Sequence, residues 1–362
     1  MNTKMKSIVK RVVSPIVDAT GLYDRRISHL VDEPGRLLVV MFHRVIDESD
    51  AGSTQDPFSL GMCVRRRHFL LQLKYLKSRF NVVPLAEALR SRGSGQSLPK
   101  ATAAITFDDG YLDCLTYAAP VLKELGLPAT FFVPTGGLAE GEAFWWDRAV
   151  AAVSDTRLSS VDLSALGLPG SVSLTPLNRR ASMIRILDAL WSQPAAALPD
   201  MLDKLIEALV PEQSYRLATE ARAPRMSIEQ VQEIATMGFT IGAHTVSHVD
   251  LRHLDADSVQ HELVASRQML ETILDQPITT FAYPSGFHNE GLQRTVRAAG
   301  FESAVSTDRG INGADLNLHA VYRIGMPDTG VADFKRALSG APVAGETLFD
   351  GSDAPVLTSL VR

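Results

Sequence analysis

The sequence has little cysteine: Cys63 and Cys114 are the only two in 362 residues. They match no metal-binding or disulfide framework and read as reduced thiols, in keeping with a reducing compartment. Long apolar runs are also missing. No stretch approaches the roughly 20 apolar residues of a membrane-spanning helix. A secretory leader needs an apolar core of about 7–15 residues, and Pro15 and Asp18 interrupt the only candidate run, Val12–Val17. The expectation is a cytoplasmic protein. A basic excess is lacking too, since the net charge is −5. Nucleic-acid surfaces rely on a basic face for phosphate contacts, so no nucleic-acid partner is expected. No repeat with a 20–50-residue period is visible, which argues against a solenoid.

What is present is an ordinary globular composition, 45% hydrophobic and 21% charged, in a chain long enough for one barrel or two domains. The N-terminus carries Lys4, Lys6, Lys10 and Arg11. Residues 4–17 read as a short helix. It either packs outside the main domain or touches anionic lipid as a basic amphipathic helix, so peripheral membrane association through the N-terminus is a second expectation.

Apolar runs at Leu37–Phe42, Ala103–Phe107, Ala129–Val133, Phe239–Ala243, Thr279–Tyr283, Ser303–Ser306 and Val321–Ile324 read as buried parallel strands. Helical spacing marks Arg65–Lys77, Tyr117–Leu125, Ile228–Met237, Ser258–Leu274 and Gly291–Ala299 between them, with glycine stops at Gly126 and Gly238. Strand–helix alternation indicates an α/β fold with a parallel sheet. The alternation breaks over 137–224, which reads as a largely helical insertion without a strand. The tail from 331 begins helically at Val331–Leu338.

Three segments place polar clusters just after apolar strands: ITFDDGY, FTIGAHTVSH and TTFAYPSG. In parallel barrels, strand C-termini converge on one open face, so Asp108, Asp109, His244 and His248 can meet there. His244 and His248 lie four apart, on one side of a helical turn. Two neutral imidazoles and a carboxylate make a three-ligand site of the catalytic-zinc kind. One acid of the Asp108–Asp109 pair then binds a divalent cation, whose charge offsets the other's proximity. The competing reading of that pair is a helix N-cap beside Gly110.

TFDDGY followed by HTVSH resembles the polysaccharide deacetylase family (carbohydrate esterase family 4, NodB-homology domain). MFHRV at 41–45 and MSIEQVQEIATMGFTIGAHTVSHVDL add to the likeness, which covers roughly 36–326. The resemblance implies an α/β fold, a distorted (β/α) barrel with incomplete TIM-like topology and a mainly helical insertion. It divides the chain into an N-terminal helical segment (1–35), a deacetylase domain (36–330) with the insertion at 137–224, and a C-terminal tail (331–362). It also implies Asp109, His244 and His248 as ligands of a divalent metal, foremost Zn²⁺, and Asp108 as general base. The substrate class that the resemblance implies is an N-acetylated glycan or glycolipid.

The third motif departs from the family pattern. FAYPSG has Ala282 where the family often has an arginine that tethers the base, and Ser285 where it has an aromatic residue. The Ser285 backbone N–H remains able to serve as a donor, and Arg323 in VYRIGM is the candidate tether. The later Leu-x-His motif is not clearly present either, leaving His288, His319 and His43 as contenders for the general acid. His43, Tyr111, Tyr283, Trp145 and Trp146 are candidate substrate contacts. The alternatives are a carbon–nitrogen hydrolase for a small amide or formamido sugar, and a non-catalytic glycan-binding domain.

Overall fold

All seven apolar runs form strands in the computed structural model, which describes residues 13–48, 62–139, 143–167, 170–191, 193, 197–209 and 224–340. They are β1 (Leu37–Phe42), β2 (Thr102–Phe107), β3 (Thr130–Val133), β4 (Thr240–Ala243), β5 (Thr280–Ala282), β6 (Ser303–Arg309) and β7 (Val321–Gly325). They pair in parallel in the order β1-β7-β6-β5-β4-β3-β2. The ring closes where β1 runs beside β2 from Leu37–Thr102 to Phe42–Phe107. The result is a closed seven-stranded barrel, short of the eight strands of a full (β/α)₈ barrel. It is thinnest at β4–β5, joined through Ala243–Phe281. Between β6 and β7 the register slips from Val305–Val321 to Arg309–Arg323.

Both faces of each strand are covered, which is why the strands read as unbroken apolar runs. In β2, Ala103, Ile105 and Phe107 face outward into the main core under the helices. Ala104 faces inward with Val39, Phe132, Ala282, Val305 and Val321. The interior is tight: a Cβ on Gly242 would lie 2.5 Å from the Phe132 ring. Leu85, Ala88 and Leu89 belong to the same interior cluster and close the N-terminal end of the barrel. The other end stays free for polar groups.

The helices are α1 (Leu22–Val31), α2 (Arg66–Arg79), α3 (Leu85–Gly93), α4 (Ala119–Leu125), α5 (Trp145–Asp155) and α6 (Arg179–Trp191), then α7 (Leu198–Leu209), α8 (Ile228–Thr236), α9 (Ala256–Leu274), α10 (Glu290–Ala298) and α11 (Val331–Ser339). A reciprocal pair of bonds between Ser227 and Gln230 caps the start of α8. The flanks are not separate units. Ile27 and Val31 of α1 and Phe334 and Leu338 of α11 join the main core. Residues 13–19 are helical as expected, whereas residues 4–12 of the predicted helix and residues 341–362 of the tail lie outside the described residues.

The described part of the insertion packs α5, α6 and α7 around its own core, including Val150, Val153, Leu187 and Leu205. The expectation that it lacks strands is corrected by an antiparallel pair, Ser160–Asp162 with Ser171–Ser173. Each of these three-residue strands buries only one side chain, Val161 or Val172, too few for an alternation to show in sequence. Among the described residues, no helix is long and apolar enough to cross a membrane.

Candidate active site

The inward alternation of β2 continues beyond its last residue, carrying Thr106 and then Asp108 to the open end of the barrel. There the Asp108 carboxylate meets Arg323 of β7 in two parallel bonds, Nη1 to Oδ1 at 2.7 Å and Nη2 to Oδ2 at 2.6 Å. Arg323 also donates from Nε to the Ser306 carbonyl at 2.7 Å and from Nη1 to Thr106 Oγ1 at 3.3 Å. The register slip between β6 and β7 sets Arg323 against this stretch of β6. Burial pushes the Asp108 carboxyl up, and the Arg323 charge and hydrogen bonds outweigh it, leaving the group below its ordinary value.

Asp109 takes the left-handed conformation, with φ at 74°, and its side chain departs from that of Asp108. It faces His244 and His248, whose Nε2 atoms lie 3.4 and 3.2 Å from Asp109 Oδ1. The three ligand atoms fall within 4.8 Å of one another and all three residues are buried. Donors placed about 2.1 Å from an ion in tetrahedral geometry are about 3.4 Å apart, so the spacing fits a cation held between them. His244 Nδ1 lies 2.7 Å from the Ala282 carbonyl, an acceptor only. The proton therefore sits on Nδ1, and Nε2 offers its lone pair toward Asp109. Burial also holds the His248 imidazole below its ordinary value, against the pull of Asp109, which favours the neutral ligand form.

The loop carrying the histidines is strained and firmly held. Thr245 and His248 have φ of 65° and 52°, and Ser285 on the neighbouring strand tip has 54°. Non-glycine residues rarely sit there unless their surroundings enforce it. Thr245 Oγ1 accepts from the His248 N–H at 3.0 Å. Glu262 of α9, buried, accepts from the Val246 and Ser247 N–H groups at 2.8 and 3.0 Å and from the Ser247 hydroxyl. From the other side Thr135 and Gly136 donate to the carbonyls of Thr245 and Val246.

The insertion supplies a wall to this centre. The Trp146 ring centroid lies 4.6 Å from that of His248, with Phe144 at 5.8 Å and Trp191 at 6.1 Å. Trp146 Nε1 donates to the Tyr111 hydroxyl at 2.9 Å, and that hydroxyl donates to Asp147 at 3.0 Å. Arg44 stacks on the Tyr111 ring and pairs with Asp113 at 2.7 Å.

Four residues named from sequence thus gather at one point: Asp108, Asp109, His244 and His248, with Arg323 behind the first. His43 follows β1, half-buried, where that strand runs beside β2 just ahead of Asp108. Others lie elsewhere or are enclosed. The expected sugar contacts Tyr111, Tyr283 and Trp146 are buried, with Tyr283 donating to the His319 carbonyl at 3.0 Å, so their rings face protein and not solvent. Trp145 is half-buried and lines a cleft with Trp191, His248 and His253. His288 has both nitrogens engaged, with Asp308 at 2.8 Å and Gln293 at 3.0 Å. His319 stands near the start of β7 and bonds the Phe301 carbonyl, at the opposite end from Asp108. Sequence reasoning missed Glu262, Asp147 and Trp191. For Glu262 a signal exists: a carboxylate beside the apolar stripe Val259, Leu263 and Leu270 of α9.

Fold and site define a seven-stranded parallel barrel with a buried Asp-His-His cluster at its strand C-termini. The family profile described as polysaccharide deacetylase matches residues 95–155 and 188–304, and the unmatched 156–187 falls inside the insertion. The chain belongs to the polysaccharide deacetylase family. YxkH of Bacillus subtilis, assigned to the same family by its name, is 29% identical over 294 residues, 81% of this chain and 72% of that protein. Two solved structures share the fold. The Streptococcus pyogenes deacetylase PplD, in complex with acetate, superposes with a TM-score of 0.53 at 19% identity, over 83% of this chain and 96% of that one. BC0361, a polysaccharide deacetylase from Bacillus cereus, gives 0.51 at 16%, over 84% and 69%.

Proposed function

We propose that this chain is a metal-dependent hydrolase removing N-acetyl groups from amino sugars of a surface polysaccharide or its lipid-linked precursor. The observation that carries the reading is an ionised carboxylate, Asp108, fixed by buried Arg323 beside a second carboxylate grouped with two imidazoles. A glycan-binding module has no use for that unligated base. The donor set of Asp109 Oδ1 and the Nε2 atoms of His244 and His248 suits Zn²⁺. A divalent cation there supplies Lewis acidity toward an amide carbonyl and eases ionisation of water.

The chain's own groups then divide the proton work. Asp108 takes the proton from the water that attacks the acetyl carbon, and Arg323 keeps it ionised and aligned for that step. The Ser285 backbone N–H is assigned to the carbonyl oxygen as charge develops on it. The carbon–nitrogen bond breaks, the amine receives a proton, and acetate leaves. His43 is assigned as that proton donor, because it follows the last residue of β1 where that strand runs beside β2 and so beside Asp108, while His288 is engaged elsewhere and His319 lies at the far end.

The test is acetate release from N-acetylated oligosaccharides by metal-loaded protein. The expected result is release that Asp108→Asn abolishes while the metal content stays the same. Metal-loaded wild type that releases no acetate, or an Asp108→Asn variant with full activity, overturns the reading.

A further inference from the structure

Arg225 stands where the insertion returns to the barrel, two residues before the Ser227 cap of α8, and it is buried. A guanidinium does not give up its proton, so a buried one needs acceptors matched to its planar fork of donors. Arg225 finds them on backbone. Nη1 donates to the Gly136 carbonyl at 2.7 Å and Nη2 to the Pro134 carbonyl at 2.9 Å. Its Cζ lies 4.1 Å from the centre of the Phe144 ring, a cation–π contact. Both carbonyls belong to the turn that follows β3.

That turn is the partner of the histidine loop. Thr135 donates to the Thr245 carbonyl at 3.1 Å and Gly136 to the Val246 carbonyl at 2.8 Å. The two backbones touch, since a Cβ built on Gly136 would lie 2.7 Å from the Val246 carbonyl oxygen. A displacement of the turn is therefore passed to the loop between His244 and His248 with little slack. Phe144 offers a second route, because it stacks at 4.1 Å on Trp146, which packs on His248.

The backbone around Arg225 holds the remaining member of the cluster. Tyr111 and Arg225 form an antiparallel bridge. The Leu112 N–H donates to the Pro224 carbonyl at 2.8 Å, and the Met226 N–H to the Gly110 carbonyl at 2.9 Å. Gly110 directly follows Asp109. One residue thus joins the Asp109 turn, through its backbone, to the histidine loop, through its side chain. These two stretches end β2 and β4, which β3 separates in the barrel.

We infer that Arg225 is a positioning residue of the metal centre: its guanidinium fixes the turn after β3 and so sets His244 and His248 against Asp109. The inference rests on the reading of that cluster as a cation site.

Arg225→Lys tests it by keeping the charge and losing the fork, since an ammonium is a point donor. The full chain, stripped of metal, is titrated with Co²⁺, whose visible absorption reports ligand geometry. Wild type is expected to take one ion. Arg225→Lys is expected to bind it about tenfold more weakly, at the low end of what outer partners cost, and with an altered absorption spectrum. Gly136→Ala strains the same path from the turn and carries the test if the lysine variant does not fold. The two changes together are expected to cost less than the sum of their separate losses, because they act through one path. Wild-type affinity and spectrum in either folded variant, whatever its melting temperature, overturn the inference and leave Arg225 a role in stability alone. Losses that simply add overturn it as well. Those results leave the deacetylase reading standing, whereas a wild type that takes no Co²⁺ strikes the metal reading and the inference with it.

Discussion

The guanidinium of Arg323 grips both oxygens of Asp108 from within the barrel wall, with neither residue open to solvent. Removing one partner of a buried ion pair leaves the other charge uncompensated, at a cost of about 3–5 kcal/mol. Arg323→Met is therefore expected to lower unfolding stability by about that amount in denaturant titrations, and Asp108→Asn in the same background to restore most of it. A single variant within about 1 kcal/mol of wild type contradicts the pair as described.

The same contact sets a pH dependence. Burial alone raises the Asp108 carboxyl, and Arg323 more than offsets it. A depressed carboxylate stays ionised down to pH values below its ordinary range and is lost as pH falls through its folded value. Arg323→Gln removes the offset and keeps the burial, so the acid limb of kcat/KM at saturating metal is expected to move to higher pH. An unmoved limb assigns that ionisation to another group.

Chelation is expected to remove activity, and one equivalent of a divalent ion to restore it. Asp109→Ala, His244→Ala and His248→Ala each delete a donor of the buried cluster. Each is expected to lose metal affinity beyond the roughly 10–100-fold typical of outer partners, as read by calorimetry. Retention of one tightly held ion by any of the three removes that residue from the ligand set.

Glu262 touches none of the reacting groups, yet it ties down the N–H groups of Val246 and Ser247 between the two histidines. Glu262→Gln replaces an acceptor oxygen with a donor there. Metal affinity is expected to fall by about 10–100-fold with the fold intact by circular dichroism. Unchanged affinity shows that the strained loop holds its shape without this brace.

Trp146 packs on His248 and donates to Tyr111. Trp146→Ala is expected to cost about 3–5 kcal/mol of stability, as large-to-small core changes do. Tyr111→Phe removes one buried hydroxyl and is expected to cost about 1–3 kcal/mol. Both values come from the same melting experiment, and a Trp146→Ala loss below that of Tyr111→Phe contradicts the packing role.

The barrel strands were legible because both of their faces are buried, which writes each one as an uninterrupted apolar run. Asp108, Asp109, His244 and His248 were legible because they follow such runs, where parallel strands end together. Arg323 was legible on a different ground, as a charged residue inside an apolar strand. The enclosed aromatics were not legible. Trp146 and Tyr111 carry a polar tip on an apolar body, and sequence does not reveal whether the tip meets a sugar or, as here, another side chain. Glu262 left only the trace of a carboxylate beside an apolar stripe, because its partners, two backbone N–H groups and the Ser247 hydroxyl, lie sixteen and fifteen residues away. The hairpin at 160–173 was too short to leave a period.

Because Tyr111 sits in the DDGY motif yet belongs to the insertion's core, the two halves are not interchangeable modules. Trimming the chain to a minimal barrel by excising 143–209 would expose the Tyr111 ring and strip the aromatic backing from His248. Any shortened biocatalyst built on this scaffold has to redesign that cradle before its chemistry can be assayed fairly.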